Sequence, residues 1–84
     1  MSDLMTMPNI GKEMATKLKS VDISTAEQLI EVGSKEAFSR LKAKYPNVCL
    51  VHLYTLEGAI QNVEFNCLPE KTKANLKEFS DSLK

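Results

Sequence analysis

The sequence has no tryptophan and only three phenylalanines and two tyrosines. A large aromatic cavity for a cofactor is therefore not expected, and no cofactor is assigned. It also lacks an excess of either charge, with eleven basic residues against eleven acidic ones. A dedicated nucleic-acid binder usually shows a clear basic surplus. Neutrality restricts any DNA contact to a weak one over a small patch. The longest apolar run, residues 48–51, falls far short of the roughly 20 residues that span a bilayer. No charged-then-apolar leader opens the chain, so a cytoplasmic protein without membrane contact is expected. Cysteine is scarce too. Cys49 and Cys67 both stand among apolar residues, so in a reducing compartment they read as small, reduced, metal-free core residues.

What the chain does have is regular punctuation of helical pattern. Its 84 residues suit one domain, residues 1–84, with a modest core. Residues 2–7 form at most a turn and a half before Pro8, which pushes its predecessor out of helical geometry. A second piece, 11–20, carries Met14, Ala15 and Leu18 at helical spacing. A third starts at Ser24, with Glu27 at capping-box spacing. Ala26, Leu29 and Ile30 form its apolar face, and Gly33 suits a left-handed end. Ser34 can cap a fourth piece lined by Ala37, Phe38 and Leu41, which Pro46 stops. Residues 35–44 hold Lys35, Arg40, Lys42 and Lys44 against Glu36, a local basic edge. The fifth piece, 48–61, has nine hydrophobic residues in fourteen, all round the axis, the mark of a helix buried on most sides. Asn47 is its expected cap and Asn62 its exit. Residues 48–54 could instead be a strand, but no second strand candidate exists to pair with it. Gly58 inside this helix costs about 1 kcal/mol relative to alanine, which implies close approach of a neighbouring helix. Pro69 suits the first position of a last helix striped by Leu76, Phe79 and Leu83. The expected fold class is all-α, a compact bundle of about five short helices.

The most informative stretch is Met7-Pro8-Asn9-Ile10-Gly11-Lys12, followed by Ala15, Leu18 and Ile23. This is the spacing of a helix-hairpin-helix element. Its tight turn leaves consecutive backbone N–H groups at the start of the second helix, and with the helix dipole these suit an anion such as phosphate. The candidate DNA phosphate-binding residues are Asn9, Ile10 and Gly11 through their N–H groups, and Lys12 and Lys17 through their side chains. The alternative is a turn that only connects helices or contacts protein. Neutral charge, and Asn9 where DNA-binding examples usually carry glycine, favour that alternative.

With the later motifs the whole chain resembles a known family. Pro8-Asn9-Ile10-Gly11, Ala15 and Leu18 lead into Ile23-Ser24-Thr25-Ala26-Glu27-Gln28-Leu29, Gly33 and Ala37. Arg40-Leu41-Lys42, Asn47-Val48-Cys49-Leu50, Leu53-Tyr54-Thr55-Leu56-Glu57-Gly58-Ala59-Ile60, Leu68-Pro69, Lys73 and Leu76 follow. Together, over roughly residues 4–80, they are similar to the C-terminal domain of the TfoX/Sxy competence-regulator family, here as a stand-alone domain. The resemblance implies a bundle of five or so helices, bacterial origin, no catalytic activity and, in some relatives, a link to regulation of DNA-uptake genes.

The remaining chemistry-bearing residues point the same way. Glu57 lies in the most apolar helix, where an unpaired carboxylate is costly. It is expected to accept hydrogen bonds from loop N–H groups or to pair with a lysine. His52, Cys49 and Cys67 supply no recognisable zinc spacing, and no phosphate loop, dinucleotide fingerprint or serine elbow is present. The expected function is a non-enzymatic, regulatory binding module without catalytic residues, metal or small-molecule substrate. It would contact DNA backbone weakly and non-specifically, or bind a protein partner or a second copy of itself. A purely structural or protein-interaction adaptor, or a homodimerisation domain with no nucleic-acid binding, is the alternative, and a small enzyme is the remote one.

Overall fold

Residues 3–83 are described by the computed structural model of the chain. Asp3 starts it by accepting the Met5 N–H, which holds Leu4–Thr6 as a 3-10 turn. Ser2, where the first helical piece was expected to begin, lies outside the described residues. Pro8 and Asn9 then turn the chain. Helix α1 is Lys12–Lys19, and it ends where Asp22 takes a left-handed conformation (φ 67) and Ile23 N–H reaches back to the Leu18 carbonyl.

Helix α2 is Ala26–Val32. Its capping pair sits one residue later than the sequence suggested: Thr25 Oγ1 accepts the Gln28 N–H, and Gln28 Oε1 accepts the Ser24 N–H. That register buries Ala26 and Leu29 beside Ile23 and leaves Ile30, expected on the apolar face, 55% exposed. Gly33 (φ 88) ends α2 through its N–H to Leu29 O and begins α3 through its own carbonyl to Ala37 N–H. Its conformation is one that glycine adopts without steric cost. Ser34 is consequently the first residue of α3, Ser34–Lys44, and not its cap. Tyr45 is extended ahead of Pro46, as the proline ring requires.

Helix α4 is Leu50–Gln61, capped by Cys49 two residues beyond Asn47, the expected cap. The Cys49 N–H donates to His52 Nδ1 at 3.1 Å. Asn62 (φ 61) is the left-handed exit, with Val63 N–H closing onto Gly58 O. A second 3-10 turn, Phe65–Cys67, leads to Pro69, which caps α5, Glu70–Ser82, from outside its first turn. No strand occurs among the described residues. The only sheet-like feature among them is an isolated bridge between Asp3 and Thr25.

The core gathers around α4, which packs against α2, α3, α5 and the second 3-10 turn. Leu4, Leu18, Ile23, Leu29, Phe38, Leu41, Val48, Leu53 and Leu56 are fully buried. Each such side chain contributes roughly 1.5–3 kcal/mol on leaving water. Helix α4 is not enclosed all round, because Val51 remains 52% exposed. Leu76 on α5 is buried, Phe79 is half-buried with Lys35 Nζ 5.6 Å from its ring centre, and Leu83 is exposed beyond the last turn.

Both cysteines are exposed, contrary to the core placement expected from their apolar neighbours. Cys49 occupies the rim position of a helix cap, and Cys67 faces outward at the end of a 3-10 turn. The adjacent Val48 and Leu68 take the buried positions.

Gly58 has a structural reason, though not the approach of a helix. A Cβ there would lie 2.6 Å from Asn9 Nδ2, 2.8 Å from the Val63 carbonyl oxygen and 3.2 Å from Phe65 Cα. Two of these neighbours are backbone and cannot swing away. Gly58→Ala therefore destabilises the fold by about 1–3 kcal/mol of overpacking, against a helix-propensity gain of about 1 kcal/mol. Urea unfolding should show a net loss of stability. An unchanged or raised midpoint would mean the backbone yields freely there.

Candidate functional site

The turn at residues 8–12 is held from inside the molecule. Ile10 plugs into the core at 5% exposure. Its N–H reaches the Met7 carbonyl at 3.4 Å. Asn9 is left-handed (φ 69), a conformation that asparagine tolerates better than most residues. Its side chain crosses to the segment after α4: Nδ2 donates to Val63 O at 2.9 Å, and Oδ1 accepts Phe65 N–H at 3.4 Å. Asn9 thus locks the turn onto α4, a structural task the sequence alone did not reveal.

Gly11 behaves differently. Its backbone is ordinary and extended (φ −94, ψ −178), and a Cβ built on it meets nothing within 4 Å. Nothing inside the fold requires glycine at this position. As the residue preceding α1, it supplies no side-chain cap, although Ser, Thr, Asp or Asn would cap the helix better. The first turn of α1 therefore opens to solvent with its N–H groups uncapped by the preceding side chain. Lys12 stands exposed at its first position. Lys17 lies further along, 3.5 Å from Glu13 Oε1, with its Nζ 5.6 Å from the centre of the Tyr45 ring.

Beside this helix start lies a shallow cleft of about 290 Å³, with Asn9, Gly11, Glu13 and Lys17 on one side and His52 and Thr55 of α4 on the other. His52 was not among the expected site residues, because no local signal ties it to a turn forty residues earlier. Its Nδ1 accepts the Cys49 N–H, so the neutral ring carries its proton on Nε2. Thr55 Oγ1 donates to Val51 O. Of the five candidate residues, Asn9, Gly11 and Lys17 line this cleft, Lys12 stands at the adjoining end of α1, and Ile10 faces the core.

The basic edge at residues 35–44 leaves Lys35 and Lys44 exposed and Arg40 and Lys42 half-buried, and three of these cations also anchor neighbouring segments. Arg40 donates to Glu36 and to Val21 O, Lys42 to Val48 O and Lys44 to Ser20 O. These cations satisfy carbonyls at the ends of neighbouring segments, a role that a count of charges does not expose. Glu57 is half-buried, and its partners are neutral: Ser34 Oγ donates to Oε1 at 2.5 Å, and the Gln61 amide donates to Oε2. Among the described residues neither a lysine nor a loop N–H holds it, contrary to both expected arrangements. Among the described residues no three of His, Cys, Asp and Glu converge as metal ligands, and no helix is long and apolar enough to cross a membrane.

The cysteine geometry has a direct consequence for thiol chemistry. A disulfide-exchange reagent should titrate both Cys49 and Cys67 in the folded protein without denaturant. A requirement for urea before either thiol reacts would contradict their exposed placement.

Comparison with solved structures finds close matches in fold, among them two from one organism. A crystal structure of an uncharacterised protein from Listeria monocytogenes, in a triclinic form, superposes with a TM-score of 0.95 at 43% identity, covering 98% of this chain and 93% of that one. A protein of unknown function from the same organism, in a tetragonal form, superposes with a TM-score of 0.94 at 43% identity, covering 98% of this chain and all of that one. A comparison with the curated proteins finds no match. The family model of the TfoX C-terminal domain matches residues 1–80. With nearly the whole chain covered, this protein belongs to the TfoX C-terminal domain family.

Proposed function

We propose that the chain is a non-catalytic, regulatory binding module of the bacterial cytoplasm that contacts DNA phosphates weakly through the start of α1. One observation carries the reading. Gly11 is a glycine that the fold does not need, placed before a helix whose first turn has no side-chain cap. A glycine with open space around it permits close approach of an outside group, and an uncapped helix start offers that group N–H donors and a positive dipole end. Lys12 stands at the same end, and Lys17 lies within reach of an adjacent phosphate.

Such contacts read no bases, so binding is sequence-independent. Neutralising only two or three phosphates gives a shallow salt dependence, a log–log slope of about −2 to −3. The competing reading, a protein-contact or homodimerisation module, has its own support. Met5, Ile30, Val51 and Phe65 are large apolar side chains left substantially exposed, and a partner that covered them would remove apolar surface from water.

Duplex DNA titrated at two salt concentrations tests the first reading with two variants. Lys12→Glu is a surface change that should weaken binding. Gly11→Asp supplies a capping side chain, so it should hold or raise stability while removing binding. If both variants bind like wild type, or wild type does not bind at low salt, the phosphate reading fails. Concentration-dependent dimerisation in sedimentation would then favour protein contact.

A further inference from the structure

A second and larger cleft lies where the end of α2, the start of α3, the middle of α4 and the first turns of α5 meet. Its volume is about 540 Å³, within the range of small-molecule sites. Val32 and Leu76 give it apolar walls, Ser34 and Glu57 a polar floor, and Lys71 and Asn75 line the α5 side. It shares no lining residue with the cleft at the start of α1.

The distinctive group is Glu57. Its carboxylate is half-buried and fixed by one neutral donor on each oxygen, the Ser34 hydroxyl and the Gln61 amide. Ser34 is itself only 5% exposed, which makes the support rigid. Among the described residues the ion pairs are Lys17–Glu13 and Arg40–Glu36, so Glu57 takes part in neither. Lys35, which also lines the cleft, stands over the Phe79 ring. A carboxylate has about four acceptor sites, and two here are filled. What remains is a preorganised anion, partly withdrawn from water, with unused lone pairs and no cation paired with it among the described residues. Charge-assisted hydrogen bonds in such a setting are stronger than neutral ones. Orientation fixed in advance also reduces the cost of binding.

We propose that this cleft binds a small zwitterion of the amino-acid class. Its cationic nitrogen sits on Glu57, its carboxylate meets Lys71, and its carbon chain lies along Val32 and Leu76. Glu36 is held by Arg40 and Lys35 lies over Phe79, so Glu57 and Lys71 are the anion and cation of the cleft that can meet one charge each of a zwitterion. The site is a ligand site and implies no reaction. It would add a small-molecule input to a domain otherwise read as a contact module.

The test is an amide chemical-shift titration of the whole chain with L-arginine, and with agmatine, which keeps the guanidinium but lacks the carboxylate. L-arginine should give saturable shifts around residues 33–36, 57 and 71–76, with a dissociation constant in roughly the millimolar range. Agmatine should bind several-fold more weakly. Glu57→Gln retains an acceptor for Ser34 and should weaken L-arginine binding by about tenfold, the loss of one charge-assisted contact. Lys71→Met is an exposed change that leaves the floor intact. It should weaken L-arginine several-fold and leave agmatine unaffected. The proposal is overturned by an absence of saturable shifts in wild type, by Glu57→Gln binding L-arginine like wild type, or by agmatine binding as tightly as L-arginine.

Discussion

The contact between Asn9 and Gly58 is the constraint on which the rest of this small fold depends. Gly58 removes a side chain from the inner face of α4. Into that gap comes the Asn9 carboxamide, which holds the Val63 carbonyl and the Phe65 N–H on either side. A residue at the beginning of the chain is thereby tied to the segment where the chain leaves α4. The same contact fixes the turn at residues 8–12, so Ile10 enters the core and Gly11 is left outside. Loop-closing hydrogen bonds of this kind are each worth only about 0.5–1.5 kcal/mol net. Their influence here is geometric, because they orient the start of α1 against α4 and form the cleft shared with His52.

Most of the helical scaffold was legible in the sequence because its punctuation is local. Pro8, Gly33, Pro46 and Asn62 act through their own backbone preferences, and each ends or redirects a helix close to the expected place. Errors of one or two residues arose where several residues could serve as cap. Ser24 and Thr25 are adjacent and both competent, and burial of Ala26 and Leu29 decides between them. Asn47 lost to Cys49 because Val48 is needed in the core and His52 Nδ1 accepts the Cys49 N–H. The cysteines were misplaced for the same reason: apolar neighbours do not say which residue of a cap or a 3-10 turn faces out.

The candidate site was half legible. The pattern proline, turn residue, aliphatic, glycine pointed to the start of α1, and the open backbone at Gly11 agrees with an outward-facing turn. The partner of Gly58, the role of Asn9 and the Ser34 donor of Glu57 were not legible, since each depends on residues far apart in sequence. Charge counting located the basic edge at residues 35–44 but not its structural use, since Arg40, Lys42 and Lys44 also satisfy carbonyls of other segments. Membership of the TfoX C-terminal domain family places this arrangement in a wider setting. Two clefts of different character lie on the domain, one at a helix start and one around a fixed carboxylate.

The most direct test of the account is a double-mutant cycle between positions 9 and 58, read by urea unfolding of wild type, Asn9→Gly, Gly58→Ala and the double variant. Glycine at position 9 keeps the left-handed backbone and removes only the carboxamide. Because the added methyl would strike that carboxamide, the two losses should overlap, leaving a coupling of about 1 kcal/mol or more. Strict additivity would show that the two residues act independently and that the turn is not seated through their contact.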